Sequence, residues 1–92
     1  MTKLNKSERF VIAFLGVTPR NARTVSDVEG MARVNGIKPA PLHKAIGSLK
    51  QVRGMARQVD GMGPSNRDIG LQLTIDGRNE FKRIMGSIKR AN

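Results

Sequence analysis

The chain has 92 residues, which is enough for one domain with one modest core. Its 17 Lys and Arg outnumber 7 Asp and Glu, and the resulting net charge of +10 indicates an anionic partner, most commonly nucleic acid. No cysteine and one histidine are present, which excludes disulfides and argues against a metal site or an enzyme. We therefore expect a single domain over residues 1–92, with no catalytic residue, no metal and no cofactor.

The first predicted element is a helix at about 8–17. Ser7 precedes it and is a candidate N-cap, because its hydroxyl can accept from unpaired backbone N–H groups. The apolar residues at helical spacing, expected to be buried, are Phe10, Val11, Phe14, Leu15 and Val17. This segment is far too short to cross a bilayer, so no membrane association is expected. Pro19 ends the helix in the loop 18–23.

A second helix is predicted at about 27–34, after a very short strand at Thr24 and Val25. The stretch SDVE (26–29) matches a capping box, in which Ser26 caps the helix and Glu29 reaches back to it. The residues expected to be buried are Val28, Met31 and Ala32. Asn35 and Gly36 tolerate positive φ and should end the helix.

A third helix is predicted at 39–52. Pro39 and Pro41 fit its first turn, where no intrahelical N–H bond is lost. Its apolar stripe should consist of Leu42, Ala45, Ile46, Leu49 and Val52. Two short helices joined by a tight Asn-Gly turn predict a helix-turn-helix.

The remaining elements are predicted to be a hairpin and a final helix. Residues 55–59 and 69–73 have strand character, and the Gly-, Pro- and Asn-rich stretch 60–68 should be a long hairpin loop. Thr74 should cap a last helix at about 75–90. The element order predicts a winged helix-turn-helix, an α+β and mainly α fold with a three-helix core, a two-stranded wing and a C-terminal helix.

With these elements placed, the chain resembles the MarR-type winged-helix transcriptional regulators. The stretch RDIGLQLTIDGR (67–78) is similar to the family's wing pattern, in which an arginine at the wing tip is followed by Leu-Thr-x-x-Gly-Arg. Residues 24–50 also resemble the family's second and third helices. The resemblance implies that the third helix is the recognition helix and that Arg67 lies at the tip of the wing.

The positions expected to contact DNA fall into three groups, taken from the exposed face of helix 39–52, the wing and the surrounding cations. The recognition-helix group is Lys38, Ala40, His43, Lys44, Gly47, Ser48 and Gln51, with His43 expected to donate to a purine N7. The wing group is Asn66 and Arg67, directed to the minor groove. The phosphate-contact group is Arg20, Arg23, Lys50, Arg53 and Arg57.

We therefore expect sequence-specific binding of double-stranded DNA by a cytoplasmic, nucleoid-associated transcriptional regulator. About six phosphate contacts would give a salt slope of log K near −5. The sequence allows a homodimer through the first and last helices and shows no small-molecule pocket. Two alternatives stay open, namely an RNA- or ribosome-binding winged helix and a protein adaptor or inhibitor that acts on the transcription machinery. A third alternative is that the basic residues form a solvated surface with no binding function.

Overall fold

The computed structural model describes residues 3–17, 22–62 and 68–91. Within these ranges the elements are α1 (Lys6–Gly16), β1 (Ala22–Thr24), α2 (Val25–Val34), α3 (Pro39–Gly47), β2 (Ala56–Met62), β3 (Asp68–Leu73) and α4 (Ile75–Ala91). A π-helical turn, Ser48–Val52, continues α3. The fold is thus α+β and mainly helical, as predicted. Among the described residues, no helix has the length and apolar character needed to cross a membrane.

Helix α1 begins earlier than predicted because its N-cap is Asn5 and not Ser7. The Asn5 side chain accepts from the Glu8 backbone N–H at 2.8 Å, and the Glu8 carboxylate accepts from the Asn5 N–H at 3.0 Å. These two bonds form a capping box. The helix also ends one residue early, and Val17, expected in the buried stripe, is 61% exposed.

Helix α2 also differs from the prediction at its start. Thr24 is the N-cap and accepts from the Asp27 N–H at 3.1 Å, so the predicted Ser26 cap is wrong. The short strand lies accordingly at Ala22–Thr24 and not at residues 24–25. Met31, expected in the core, is 41% exposed, whereas the predicted burial of Val28 and Ala32 is confirmed.

Helix α3 starts at Pro39 as predicted, but its last five predicted residues form the π-helical turn. The predicted inward positions up to Leu49 are buried. Val52 is 81% exposed and does not belong to the apolar stripe. Gly54 has a φ of 62°, which glycine adopts without strain, and the chain turns there into β2.

The three strands form one antiparallel sheet in the order β1-β3-β2. Ala56 pairs with Leu73, and both are buried on the helical side of the sheet. Between Val59 and Met62 the register shifts, with Gly61 at a φ of 75° in the irregular stretch. The predicted loop 60–68 is too long, because residues 60–62 belong to β2 and residue 68 begins β3.

The core lies between α1, α2, α3 and the inner face of the sheet. Its largest fully buried side chains are Ile12, Leu15, Leu42, Leu49, Leu71, Val11 and Val28. Phe10 and Phe14 are only partly buried and stack with ring centroids 6.0 Å apart. The core therefore fixes the orientation of α3 relative to α1 and α2.

Helix α4 is attached to the sheet through the predicted cap residue Thr74. Its hydroxyl accepts from the Gly77 N–H at 3.2 Å and donates to the Gly54 carbonyl at 2.6 Å. The Thr74 N–H also donates to the Met55 carbonyl at 3.0 Å. The bend after α3 and the start of α4 are thus held together by hydrogen bonds, and Phe81 of α4 packs against Gly16 of α1.

Candidate nucleic-acid interface

The outward face of α3 contains most of the residues that the sequence analysis assigned to DNA contact. Lys38, Ala40, His43, Lys44 and Gln51 are exposed, and Gly47 is half-buried. Lys38 is the N-cap of α3 and makes no side-chain capping bond. The side chains at Leu42, Ala45, Ile46 and Leu49 occupy the opposite, buried face. Helical spacing therefore produces one exposed face with basic and small residues, as the pattern predicts.

Ser48 does not belong to this exposed face, because its hydroxyl donates to the Glu8 carboxylate of α1 at 2.9 Å. Arg53, predicted to contact phosphate, donates from Nε to the same carboxylate oxygen at 2.7 Å. A second Arg53 nitrogen donates to the Lys3 carbonyl at 3.3 Å. Both residues anchor the end of α3 to α1, so their polar groups have partners within the fold.

Glu8 is the charged residue that the sequence analysis missed. It is only 2% exposed and uses its two oxygens to accept from Asn5, Ser48 and Arg53. Burial by itself raises the pKa of this carboxyl. The hydrogen bonds from Asn5, Arg53 and Ser48, together with the Arg53 charge, outweigh that effect and lower the pKa below its ordinary value of 4.5. Glu8 is therefore ionised at neutral pH.

The π-helical turn explains how Ser48 and Arg53 reach one carboxylate. In an α-helix, positions five residues apart point about 140° away from each other, at 3.6 residues per turn. In the π-helical turn the Arg53 N–H donates to the Ser48 carbonyl at 2.9 Å, an i to i−5 bond that brings these residues into line. The wider turn therefore directs both side chains toward Glu8.

His43 makes a hydrogen-bonding contact that joins α3 to α2. Its Nε2 lies 2.9 Å from Oε2 of Glu29 in α2, and the His43 side chain is 56% exposed. The sequence analysis placed Glu29 in a capping box with Ser26, whereas the structure directs Glu29 to His43. This contact links the exposed faces of α2 and α3.

The remaining predicted phosphate contacts lie on three different elements. Arg57 of β2 donates from Nε to Gln72 at 2.8 Å, and Lys50 donates to Gln58 at 3.2 Å. Arg23 lies over the Phe14 ring at 5.7 Å, with Asp27 at 3.9 Å. These residues have polar partners, but Arg57 and Arg23 are exposed and Lys50 is half-buried. Arg20, Asn66 and Arg67 lie outside the described residues.

Arg33 is a further exposed cation beside α3 that was absent from the predicted contact set. It lines a small depression together with Glu29, Ile37, Pro39 and Leu42. The depression has a volume of about 30 Å³, far below the roughly 300–1,000 Å³ of pockets that enclose organic ligands. Over residues 3–17, 22–62 and 68–91, no group of three His, Cys, Asp or Glu side chains is arranged to hold a metal ion.

The fold matches that of a solved structure, the YusO protein from Bacillus subtilis, with a TM-score of 0.70 and 22% sequence identity. The match covers 96% of this chain and 57% of YusO, so the chain spans little more than half the length of that protein. No protein-family model matches the chain, and no curated protein matches it. At this identity the likeness shows a common fold: nearly all of this chain has the architecture of part of YusO.

Proposed function

We propose that the chain is a winged helix-turn-helix domain that binds double-stranded DNA sequence-specifically and regulates transcription. In this proposal α3 enters the major groove, and the hairpin of β2 and β3 lies over the adjacent minor groove. The observation that carries it is the exposed face of α3, where Lys38, His43 and Lys44 stand beside Ala40 and Gly47. Residues 39–52 contain no acidic residue, and the acidic side chain that contacts this face, Glu29 of α2, is hydrogen-bonded to His43.

The dimensions and chemistry of this face support the proposal. An α-helix fits the major groove of B-DNA, where each base pair presents a distinct set of donors and acceptors. The small side chains of Ala40 and Gly47 allow the helix backbone to approach the base edges closely. Lys44 then lies where its ammonium can reach guanine N7 and O6 or a phosphate, and Gln51 lies nearer the C-terminal end of the face.

The cations around α3 suit the two phosphate backbones that flank a groove. Arg33 lies on α2 beside the start of α3, Lys50 lies on the π-helical turn that continues α3, and Arg57 lies on β2. Such contacts set affinity and register and do not read sequence. With Arg53 assigned to Glu8, five phosphates neutralised would give a slope of log K against log salt near −4.5.

The proposal is tested by selecting bound duplexes from a random pool and measuring affinity for the selected site at several salt concentrations. Lys44→Ala should weaken binding to that site by about tenfold, as loss of a base contact predicts. It should also reduce the base preference at one position of the site. Lys3→Ala is a matched control, because it removes the same charge from an exposed position before α1. A salt slope near zero, or a preference for single-stranded RNA over duplex, would contradict the proposal.

A homodimer through α1 and α4 belongs to the same proposal. A two-fold symmetric protein binds half-sites that are related by the same symmetry. We expect the selected duplexes to contain a palindrome and the protein to sediment as a dimer. A single half-site and a monomer would limit the proposal to a monomeric domain.

A further inference from the structure

The contact between His43 and Glu29 determines where the imidazole carries its proton. An ionised carboxylate has lone pairs and no hydrogen, so it can only accept a hydrogen bond. The Glu29 oxygen lies 2.9 Å from Nε2 of His43. Nε2 must therefore carry the hydrogen, and in the neutral ring Nδ1 has a free lone pair.

This tautomer changes what His43 can offer to a ligand. The His43 side chain is more than half exposed on the face of α3 that bears Lys44. With Nε2 directed to α2, the other ring nitrogen, Nδ1, is the one that can meet a ligand. A neutral His43 then presents an acceptor, and the sequence-based expectation that it donates to a purine N7 does not follow from this geometry.

The charged groups around the ring do not offer a competing acceptor. One turn before and after His43 on α3 lie Pro39 and Gly47, which carry no charge. Glu29 is the acidic group that faces the ring from α2, and Arg33 follows it by one turn. Lys44, adjacent in sequence, is a donor only. Among the described residues, Glu29 is thus the group that sets the ring's tautomer.

We propose that Glu29 is a positioning residue that makes His43 read an exocyclic amino group, cytosine N4 or adenine N6, in the major groove. The inference rests on the proposed function, since it requires α3 to face the base edges. In that groove, the amino groups of cytosine and adenine are the donors, whereas guanine and thymine present acceptors. An acceptor at Nδ1 therefore selects cytosine or adenine on the strand it contacts.

The first experiment uses the duplex selected by the wild-type protein at about pH 8.5, a pH above the usual titration range of histidine side chains. His43→Ala identifies the base that His43 reads, as the position at which the base preference is lost. At that base, replacing the exocyclic amino group by hydrogen should weaken wild-type binding about three- to tenfold, the worth of one hydrogen bond. The same replacement should leave the affinity of the His43→Ala variant unchanged.

The second experiment removes the constraint that Glu29 imposes. In Glu29→Gln the side chain can either accept from or donate to Nε2, which allows both neutral tautomers of His43, so the penalty for deleting the amino group should fall below the wild-type value. Asp27→Asn is the matched control: it removes one negative charge from the same helix, where Asp27 is near Arg23 and not near His43. That control should keep the full penalty.

The outcomes separate this inference from the proposed function. If the protein binds no duplex, or if it binds a duplex and Lys44→Ala has no effect, the proposed function is wrong. If duplex binding depends on Lys44 but guanine or thymine is preferred at the His43 position at pH 8.5, the assignment of His43 as an acceptor is wrong. An unchanged base preference in His43→Ala would also overturn it. A Glu29→Gln variant with the full amino-group penalty would show that Glu29 does not set the tautomer.

Discussion

Replacing Glu8 with glutamine tests whether one buried carboxylate holds α3 in place. Glu8 lies on α1 and is joined to the end of α3 by the bonds from Ser48 and Arg53. Glutamine has nearly the same shape, so the packing around the side chain is preserved. The substitution removes the negative charge and one of the two acceptor oxygens. In the wild type these two oxygens accept from three residues, one of which is Asn5 through its backbone N–H.

The expected loss of stability follows from these contacts. A hydrogen bond to a charged group contributes about 1.5–3 kcal/mol, and breaking a fully buried ion pair costs about 3–5 kcal/mol. The Arg53 side chain is 16% exposed, so water compensates part of its charge once Glu8 is neutral. We expect Glu8→Gln to lower the free energy of unfolding by about 2–3 kcal/mol. A domain of this size has a total stability of roughly 5–14 kcal/mol.

The effect should depend on pH in a defined direction. The folded-state pKa of Glu8 is lowered from 4.5, so the folded protein binds the Glu8 proton less readily than the unfolded chain does. The Glu8 contribution is therefore complete above the unfolded-state value and is lost as the pH falls through the lower, folded-state value. The stability difference between wild type and Glu8→Gln should be largest near neutral pH and should shrink below about pH 4.5.

Urea unfolding followed by far-ultraviolet circular dichroism is the suitable assay, because the chain has neither Trp nor Tyr for fluorescence. With a slope of about 1–1.5 kcal/mol/M for a small domain, the urea midpoint should fall by about 2 M.

Ser48→Ala removes one of the three donors and should cost about 1 kcal/mol. Glu29→Gln, at an exposed pair, should change stability by less than about 1 kcal/mol. Equal stability of wild type and Glu8→Gln at pH 7 would refute this reasoning, as would a difference that persists unchanged at pH 3.

Two further predictions concern the start of α4. A methyl group added at Gly77 would lie 2.0 Å from the Met55 carbonyl oxygen, so Gly77→Ala should destabilise the fold by about 1–3 kcal/mol; Gly86→Ala, with open space on the same helix, should stabilise it by about 0.5–1 kcal/mol. Equal thermal midpoints for the two variants would contradict this. Thr74→Ala removes both the bond from the Gly77 N–H and the bond to the Gly54 carbonyl. It should cost about 1–2 kcal/mol in urea unfolding, and Thr74→Ser should restore most of it.

The periodic parts of the sequence were sufficient to predict the elements of the fold. Apolar spacing places α1 to α4 and both hairpin strands within a few residues, since burial of one helix face or one sheet face is a local pattern. The ends of the helices are less well predicted. Ser26 matches a capping motif as well as Thr24 does, and the choice between them depends on where the chain packs against its neighbours. For α1 the sequence favours Asn5 over Ser7, because Glu8 follows Asn5 at capping-box spacing and Phe10 follows Ser7.

The candidate site was predicted less completely, because several of its contacts join residues far apart in sequence. Glu8 lies 40 positions from Ser48 and 45 from Arg53, so nothing in the local pattern of α1 distinguishes it from an exposed acid in a first turn. The pairing of Glu29 with His43 spans 14 positions and competes with an equally plausible capping box. The exposed face of α3 was predictable because one helical stripe defines it.

The two parts of the helical segment 39–53 make different kinds of contact. Its first nine residues, α3 itself, place their exposed side chains toward any ligand, whereas the π-helical turn and Arg53 fasten the segment to α1. We expect substitutions at Ala40, Lys44 or Gly47 to leave the hydrogen bonds to Glu8 intact. Arg53 reaches Glu8 because of this wider turn, since in a regular α-helix it would point about 140° away from Ser48, which shares the same carboxylate. The exposed positions within residues 40–47 can therefore be substituted while the contacts of Ser48 and Arg53 with Glu8 are kept.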